Sequence, residues 1–199
     1  MNIVIIKYNA GNIESVSNAL LRLGIQAEIT GDHEKIEAAD KVIFPGVGEA
    51  STTMAYLKKE GLDQLIPSLT QPVLGICLGL QLMCSHSEEG DTHCLGIFDE
   101  QVKRFVPEPG MEFVTKVPHM GWNTITNLKS NLFDESLDNQ SVYFVHSFYA
   151  TVGEHTAALG NYINPFSAAL HKDNFYATQF HPEKSGPVGA KILENFLKL

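Results

Sequence analysis

The stretch "VLGICLGLQLM", residues 73–83, places a single thiol, Cys77, between Gly75 and Gly79. A cysteine that only packs in a core behaves as a small hydrophobic side chain and needs no glycine on either side. Gly-x-Cys-x-Gly between a strand pattern and a helix pattern is typical of a nucleophile elbow, a sharp turn that exposes a reactive side chain. The pattern predicts a nucleophilic cysteine, with a packed core cysteine beside a turn as the alternative.

The turn after Cys77 is also expected to activate its thiol. Backbone amides at the start of the following helix stabilise a thiolate and lower the pKa of a cysteine below its usual value of about 8.5. The amide of Leu78 is a candidate oxyanion donor, and the turn "FPGVGEA", residues 44–50, can aim a second amide at the same place. A dinucleotide-binding turn is the competing interpretation, but Ser51 stands where the third glycine belongs and Pro45 opens the turn.

The segment "YATQFHPEKS", residues 176–185, offers the base that a nucleophilic thiol needs. His181 follows a strand pattern, Pro182 stiffens the turn, and Glu183 lies where its carboxylate can fix the tautomer of the imidazole. Together with the upstream elbow, this predicts a Cys-His-Glu triad. Ester and peptide hydrolases of the α/β-hydrolase type are an alternative, although their acid precedes the histidine in the chain and here it follows.

A second group of metal-capable side chains lies in "CSHSEEGDTHC", residues 84–94, which contains Cys84, His86, His93 and Cys94. Their spacing matches none of the common zinc patterns, and the acidic residues and glycine between them favour a solvated loop. We therefore expect a loop in this segment, and no metal.

The composition limits the classes of partner. With 199 residues, 44% of them hydrophobic, the chain is predicted to form one domain over residues 1–199. Its net charge of −9 opposes binding to nucleic acid or to anionic membrane surfaces. The start "MNIVIIKY" has too short an apolar run for a signal peptide, and three cysteines make no disulfide framework. We expect a cytoplasmic protein with small-molecule and protein partners.

Strand and helix patterns alternate through the first half of the chain. The predicted strands are 3–6, 25–29, 41–44 and 72–76, and the predicted helices are 12–24, 33–39 and 51–66. Asn12 is predicted to cap the first helix and Gly24 to end it. From about residue 101 the patterns are strand-like, until a last helix at 187–198. The alternation predicts an α/β fold with a mostly parallel sheet covered on both faces and a β-rich C-terminal half.

Five segments, in this order along the chain, carry a resemblance to a known family: "PGVG", "GICLGLQLM", "PHMGWN", "YFVHSFY" and "QFHPEKSG". Together they resemble the triad-type (class I) glutamine amidotransferases, and the likeness runs from residue 8 to residue 186. It implies a flavodoxin-like three-layer sandwich around a mostly parallel central sheet. The segments "PHMGWN" and "YNAGN" resemble those of one subfamily, in which the glutaminase delivers ammonia to a cyclase subunit in histidine biosynthesis.

The resemblance implies the chemistry of the triad. Cys77 would attack the side-chain amide of glutamine, His181 would transfer the protons, and Glu183 would orient the histidine. Ammonia would leave from a γ-glutamyl thioester that water then hydrolyses. No cofactor is implied.

Further site residues are also implied by the resemblance. The oxyanion donors would be the amide of Leu78 and an amide of the turn at 46–48, that of Val47 or Gly48. The glutamine substrate would contact Gly46, Gly79, Gln81, Ser147 and Phe148. His146 is expected to be a buried, hydrogen-bonded histidine.

A docked partner is the last implication. Ammonia released into water would be protonated and lost as a nucleophile, so a glutaminase without a synthase half needs a cyclase subunit, here a (β/α)₈ barrel in a heterodimer. The implied interface residues are Asn9, Asn12, Trp122 and Lys184. Trp122 is expected to be an exposed anchor in a turn between Pro118 and Asn123, with burial in the core as the alternative.

The missing synthase half also predicts regulation. We expect slow glutamine hydrolysis by the chain alone and faster hydrolysis when the cyclase binds its own ligand, which requires the loop at 46–48 to differ between the two states. A non-catalytic binding module on the same scaffold is a further alternative. Such a module would carry a damaged triad, and the triad motifs are intact.

Overall fold

The structure is a computed structural model that describes residues 1–8, 11–111 and 113–199. Its strands are, in chain order, β1 (Ile3–Ile6), β2 (Glu28–Thr30), β3 (Lys41–Gly46), β4 (Val73–Cys77), β5 (His86–Ser87), β6 (Thr92–His93), β7 (Gln101–Arg104), β8 (His119–Thr124), β9 (Ser141–His146), β10 (Phe148–Ala150), β11 (Thr156–Asn161), β12 (Pro165–Lys172) and β13 (Phe175–Thr178). Its α-helices are α1 (Ile13–Arg22), α2 (His33–Glu37), α3 (Ala50–Lys59), α4 (Leu62–Ser68), α5 (Leu78–Met83) and α6 (Gly186–Lys198). Short 3₁₀ turns lie at Glu135–Leu137 and Pro182–Lys184.

Seven strands form the central sheet, in the order β11-β12-β13-β4-β3-β1-β2. The pairs from β13 across to β2 are parallel, and β11, β12 and β13 add an antiparallel edge. Because the carboxyl ends of parallel strands meet at one edge of a sheet, the ends of β3, β4 and β13 lie side by side. Gly46 and Cys77 lie at that edge, and the chain continues from the end of β13 to His181 there.

Both faces of this sheet are buried. Ile3 and Ile5 of β1 pack in one core with α1 and α6, whereas Val4 and Ile6 pack in another core with α3 and α4. Successive residues of a strand point to opposite faces, so an uninterrupted apolar run is what a doubly covered strand requires. The predicted mostly parallel sheet with helices on both faces is confirmed. In the described residues, no helix combines the length and the apolar character needed to cross a membrane.

Several predicted boundaries differ from the structure. The helix predicted at 51–66 is two helices, because Gly61 adopts a left-handed backbone with φ of 71° between them. The strand predicted at 25–29 is found at Glu28–Thr30. The segment at 84–94, predicted to be a loop, contains the short antiparallel pair β5 and β6.

The C-terminal half is β-rich, as predicted. Four strands form a second sheet in the order β10-β7-β5-β6, and β8 pairs with β9. The prediction that Trp122 lies in a turn is wrong. It lies within β8, directly opposite Tyr143 of β9, because residues 119–124 pair in continuous register with 141–146.

Asn12 does not cap its helix in the predicted way. Its backbone is left-handed, with φ of 74°, and its side chain makes no bond to the first turn of α1. The side-chain amide instead donates a hydrogen bond to Oε1 of Glu183, with Nδ2 and Oε1 2.6 Å apart. The side chain of Asn12 therefore donates to a buried carboxylate, and its oxygen does not accept from the first backbone amides of α1 as a cap would.

Candidate active site

Cys77 lies at the junction of β4 and α5 in a strained backbone conformation. Its φ is 55° and its ψ is −104°, a region that non-glycine residues rarely occupy and that is found at functional turns. A β-carbon on Gly79 would collide with the backbone carbonyl of Phe44, and one on Gly75 would lie 2.9 Å from Sδ of Met83. The two glycines therefore let α5 lie directly against β3 and β4, which is the packing that a strand-to-helix elbow needs.

His181 and Glu183 form a buried pair beside this elbow. Nδ1 of His181 lies 2.7 Å from Oε1 of Glu183, and both side chains are fully buried. Since a carboxylate only accepts, Nδ1 carries the hydrogen and Nε2 is left with a lone pair. Within the described residues, this Nε2 has no hydrogen-bond partner. The imidazole is thus held in the tautomer that a general base requires.

The pKa of His181 is shifted upward. Burial opposes the charged imidazolium, but interactions with the thiol of Cys77 and the carboxylate of Glu183 outweigh it. Cys77 is close enough to exert this effect, although the sulfur does not reach hydrogen-bond geometry with Nε2. The site therefore favours transfer of the thiol proton to the histidine.

A cavity of about 310 Å³ opens over Cys77. This is at the small end of ligand-binding pockets and suits a free amino acid. It is lined by Val47, Gly48, Cys77, Leu78, Gln81, Glu89, Pro118, Val145, His146, Ser147 and Phe148. The structure thus brings the predicted oxyanion residues together with three of the five predicted substrate contacts.

The other two predicted substrate contacts lie behind the cavity wall. Gly46 pairs with Cys77 across β3 and β4, and Gly79 packs on Phe44. Both positions shape the backbone around the sulfur. Their glycines are explained by close packing.

Glu89 is a cavity residue that the sequence interpretation missed. Its Oε2 accepts a hydrogen bond from the amide of Ala50 at the start of α3, with a distance of 2.8 Å. Burial raises the pKa of this carboxyl group. Glu89 belongs to the acidic run that was interpreted as a solvated loop, and nothing in that run marks one carboxylate as inward-facing.

Gln179 is a second residue that was missed. It is fully buried, its Oε1 lies 3.0 Å from Nε2 of Gln81, and its Nε2 lies 3.7 Å from Sγ of Cys77. Nε2 of Gln81 also donates to the carbonyl of Phe148 at 2.9 Å. Gln179 stands in the quoted motif "QFHPEKSG", two residues before the histidine, so its proximity to the site was available as a signal.

His146 is buried and hydrogen-bonded. Its Nδ1 lies 2.7 Å from the carbonyl of Phe148, and its Nε2 lies 3.0 Å from Nδ1 of His119 on the paired strand. Burial lowers the pKa of His119 to about 4 and the pKa of His146 to about 3. Two neutral rings therefore support the part of the cavity formed by residues 145–148.

The predicted interface residues fall into three groups. Trp122 is 59% exposed and Lys184 is exposed, so burial of the tryptophan in the core is wrong. Asn12 points its side chain inward to Glu183. Asn9 lies outside the described residues.

The cysteine and histidine group at 84–94 does not converge. Cys84 is buried at the end of α5, and burial raises the pKa of its thiol. Burial also raises the pKa of Cys94, to about 11. His86 bonds Asp91 at 2.9 Å. Within residues 1–8, 11–111 and 113–199, no group of three or more potential ligands is arranged to hold a metal ion.

Comparisons with solved structures identify the fold. A structure described as a glutamine amidotransferase superposes with a TM-score of 0.73 at 19% identity, covering 98% of this chain and 97% of that chain. The structure of PurLQS from Thermotoga maritima gives 0.67 at 14% identity, covering 99% and 97%. At these identities the likeness shows the fold alone, and it is the fold that the motifs implied.

Curated relatives are much closer in sequence. The imidazole glycerol phosphate synthase subunit HisH of Bacteroides fragilis (strain YCH46) is 65% identical over 199 residues, covering 100% of both chains. The subunit of that name from Escherichia coli (strain K12) is 44% identical over 201 aligned residues, again covering both chains completely. The family model for class-I glutamine amidotransferases matches residues 4–199. The chain therefore belongs to the class-I glutamine amidotransferases.

Proposed function

We propose that this chain is the glutaminase subunit of an imidazole glycerol phosphate synthase, acting in histidine biosynthesis. It hydrolyses glutamine to glutamate and ammonia and passes the ammonia to a cyclase subunit. The observation that carries the proposal is the meeting of a strained elbow cysteine, a buried His181–Glu183 pair and an amino-acid-sized cavity at one sheet edge. The full-length identity to subunits of that name supports the pathway.

The reaction begins with the thiol of Cys77. His181 accepts its proton through Nε2, and the sulfur attacks the side-chain amide carbon of glutamine. The amides of Leu78 and of Val47 or Gly48 stabilise the oxyanion that develops. His181 then protonates the amide nitrogen, the C–N bond breaks, and ammonia leaves a γ-glutamyl thioester on Cys77.

Water completes the cycle. His181, neutral again, takes a proton from the water molecule that attacks the thioester carbonyl. The imidazolium then returns this proton to the sulfur as the C–S bond breaks, which releases glutamate and restores the thiol. Glu183 holds the imidazole by its Nδ1 hydrogen throughout and stabilises its charged form. No metal or cofactor takes part in these steps.

The amino-acid end of glutamine is bound by residues from both sides of the cavity. Gln81, Ser147 and Phe148 provide polar side-chain and backbone groups. Glu89 is the acidic residue that lines the same cavity, so we assign it to the α-ammonium group. Opposite charges in a partly buried site give charge-assisted hydrogen bonds, which are stronger than neutral ones.

The partner is a cyclase with a (β/α)₈ barrel, in a heterodimer. Met120 and Trp122 are two residues apart in β8, so their side chains lie on the same face of the strand. They are 63% and 59% exposed and form the apolar anchor that a docked partner uses. Asn9, Asn12 and Lys184 complete the proposed interface. The chain acts as one glutaminase domain, and the proposed location is the cytoplasm.

Activation by the partner follows from the contacts of the loop at 46–48. The hydroxyl of Tyr8 donates to the carbonyl of Pro45 at 2.5 Å. A β-carbon on Gly11 would lie 2.9 Å from the side chain of Val47. A cyclase that contacts the 8–12 segment can therefore shift the oxyanion donors, and we expect faster glutamine turnover when the cyclase holds its own ligand.

The test is ammonia release from glutamine by the chain alone, with its cyclase, and with cyclase plus cyclase ligand. Cys77→Ala is expected to abolish glutamine-dependent activity, while the complex still uses ammonium added directly. Glu183→Gln is expected to lose less activity than His181→Ala, because it disturbs orientation without removing the proton carrier. Substantial glutamine hydrolysis by Cys77→Ala, or hydrolysis of a simple ester in place of glutamine, would contradict the assignment.

An electrophilic glutamine analogue provides an independent check. It is expected to add once, at Cys77, because the thiols of Cys84 and Cys94 have raised pKa values and are therefore poor nucleophiles. Peptide mapping after labelling locates the adduct. Labelling chiefly at Cys84 or Cys94 would argue against an elbow nucleophile.

A further inference from the structure

The orientation of two buried amides behind the elbow is fixed by one carbonyl group. The oxygen of Phe148 can only accept, so the side-chain atom of Gln81 that lies 2.9 Å away is the nitrogen. That nitrogen also lies 3.0 Å from the side chain of Gln179, whose facing atom must then be the acceptor Oε1. The remaining atom of this amide, Nε2, is the one that lies 3.7 Å from Sγ of Cys77.

We propose that Gln179 is a further catalytic residue, which donates an Nε2 hydrogen to the thiolate of Cys77 and stabilises it before attack on glutamine. This inference rests on the proposed function, in which Cys77 is the nucleophile. The Cys77 side chain meets a second polar group, the carbonyl oxygen of Val145, 3.9 Å from Sγ. That carbonyl can accept the S–H of the thiol but repels the thiolate, so the two neighbours favour opposite protonation states.

Burial makes the Gln179 donor effective. Cys77 is 7% exposed and Gln179 is fully buried, so little water competes for the sulfur. A hydrogen bond to a charged acceptor in such surroundings is stronger than one between neutral groups. When the sulfur has lost its proton to His181, the Gln179 amide compensates the negative charge together with the imidazolium of His181.

The test measures the alkylation rate of Cys77 by iodoacetamide as a function of pH, with peptide mapping to exclude other thiols. Gln179→Glu replaces the donor by an oxygen at the same place, and Gln179→Met removes it without adding charge. Both are expected to slow alkylation at pH 7 by about tenfold to a hundredfold and to raise the apparent pKa of Cys77 by about one to two units. Because iodoacetamide does not need the glutamine-binding groups, this readout separates an effect on the sulfur from an effect on substrate binding.

Steady-state kinetics of the complex with its cyclase give the second readout. The variants are expected to lose kcat by a similar factor, with KM for glutamine changed less than about threefold. Gln140→Glu, an exposed glutamine given the same substitution, is the control and is expected to behave as the unsubstituted chain. A folded variant that alkylates at the unsubstituted rate and pKa, or a loss confined to KM, would overturn the proposal.

The unsubstituted chain provides a test that needs no variant. The side-chain NH₂ proton resonances of Gln179 are expected to titrate with the same apparent pKa as the alkylation rate, and to stop titrating once Cys77 is alkylated. Resonances that do not move with the thiol would overturn the proposal even if both variants fail to fold. If the unsubstituted complex released no ammonia from glutamine, the proposed function would fail, while alkylation and titration would still decide the role of Gln179.

Discussion

The two walls of the glutamine cavity are held in place by different forces. The elbow wall comprises Val47, Gly48, Cys77, Leu78 and Gln81, and the facing wall comprises Glu89, Pro118 and residues 145–148. Backbone contacts too close for a β-carbon fix the elbow wall between β3, β4 and α5, whereas the facing wall combines the ordinary pairing of β8 with β9 and side-chain hydrogen bonds such as that between His119 and His146. A backbone contact that leaves no room for a β-carbon requires glycine, so it can be recognised in the sequence. A side-chain hydrogen bond between distant residues produces no such local pattern.

Gly79→Ala is the sharpest test of the elbow wall. Its β-carbon would meet the carbonyl of Phe44, a backbone atom that cannot move without shifting β3. We expect glutamine-dependent kcat to fall by more than about a hundredfold, since displacements of about 1 Å have effects of this size, and the free energy of unfolding to fall by about 2–3 kcal/mol. Urea unfolding and kinetics measure both.

Gly75→Ala is the matched variant for that test. Its β-carbon would lie 2.9 Å from Sδ of Met83, the flexible end of a side chain, and 3.1 Å from backbone atoms of Gly79 and Leu80, a much milder overlap than that of Gly79→Ala with Phe44. The expected loss of unfolding free energy is smaller, about 1–2 kcal/mol. Equal losses in the two variants, or unchanged kcat in Gly79→Ala, would contradict the claim that contact between α5 and β3 sets the position of Cys77.

Glu89→Gln tests the facing wall. The substitution keeps an oxygen for the amide of Ala50 but removes the charge assigned to the α-ammonium of glutamine. KM for glutamine is expected to rise about tenfold to a hundredfold, with kcat changed less than about threefold. Glu88→Gln is the control, because Glu88 is the exposed neighbour. If Glu89→Gln lowered kcat and left KM unchanged, the assignment of Glu89 to binding of the α-ammonium group would be wrong.

Trp122→Ala tests the outer side of the hairpin that carries the facing wall. The side chain is 59% exposed on β8, so its removal is expected to leave the fold intact and to weaken cyclase binding by about 2 kcal/mol, roughly thirtyfold. Titration calorimetry with the cyclase measures the change. Val152→Ala, which truncates another apolar side chain that is 50% exposed, is the control. Unchanged cyclase affinity in Trp122→Ala would remove it from the interface.

The histidine pair under the facing wall predicts a pH dependence of stability. His119 and His146 have pKa values lowered by burial to about 4 and about 3, whereas histidine in an unfolded chain titrates near 6.5. Between these values the unfolded state binds more protons, so stability falls as pH falls, by at most about 1.4 kcal/mol per pH unit for each ring. His181, whose pKa is shifted upward, is protonated in both states below about pH 6 and adds no slope there.

Unfolding free energies at about pH 4.5, 5 and 5.5 measure this slope, because His181 is protonated in both states there. His119→Phe keeps a ring to stack on Phe144 and Tyr162 and is expected to reduce the slope by about half or more. His33→Gln, at the start of α2, is the control and is expected to retain it. A slope that survives His119→Phe unchanged would mean that other groups cause the acid sensitivity.

The sequence was most informative where the backbone itself was constrained. The elbow, the His181–Glu183 pair and the mostly parallel sheet each followed from local patterns. Glu89 did not, because its position depends on how α3 packs in three dimensions. Gln179 stands in the histidine motif, but no local pattern assigns its amide to the sulfur of Cys77. The cap predicted for Asn12 was wrong for the same reason, since an inward hydrogen bond to a residue 171 positions away has no local pattern.

The contacts of Tyr8, Gly11 and Asn12 have a consequence for which changes in chain length this enzyme can accept. In the connection between β1 and α1, Tyr8 bonds the carbonyl of Pro45, Asn12 bonds Glu183, and Gly11 lies beside the side chain of Val47. Most surface connections tolerate inserted or deleted residues because their backbone makes few specific contacts. Here a single insertion between Tyr8 and Asn12 would put the loop at 46–48 and the triad carboxylate out of register with each other. We therefore expect this connection to keep a constant length among functional variants of the chain, and to be a poor site for circular permutation or for a fused domain.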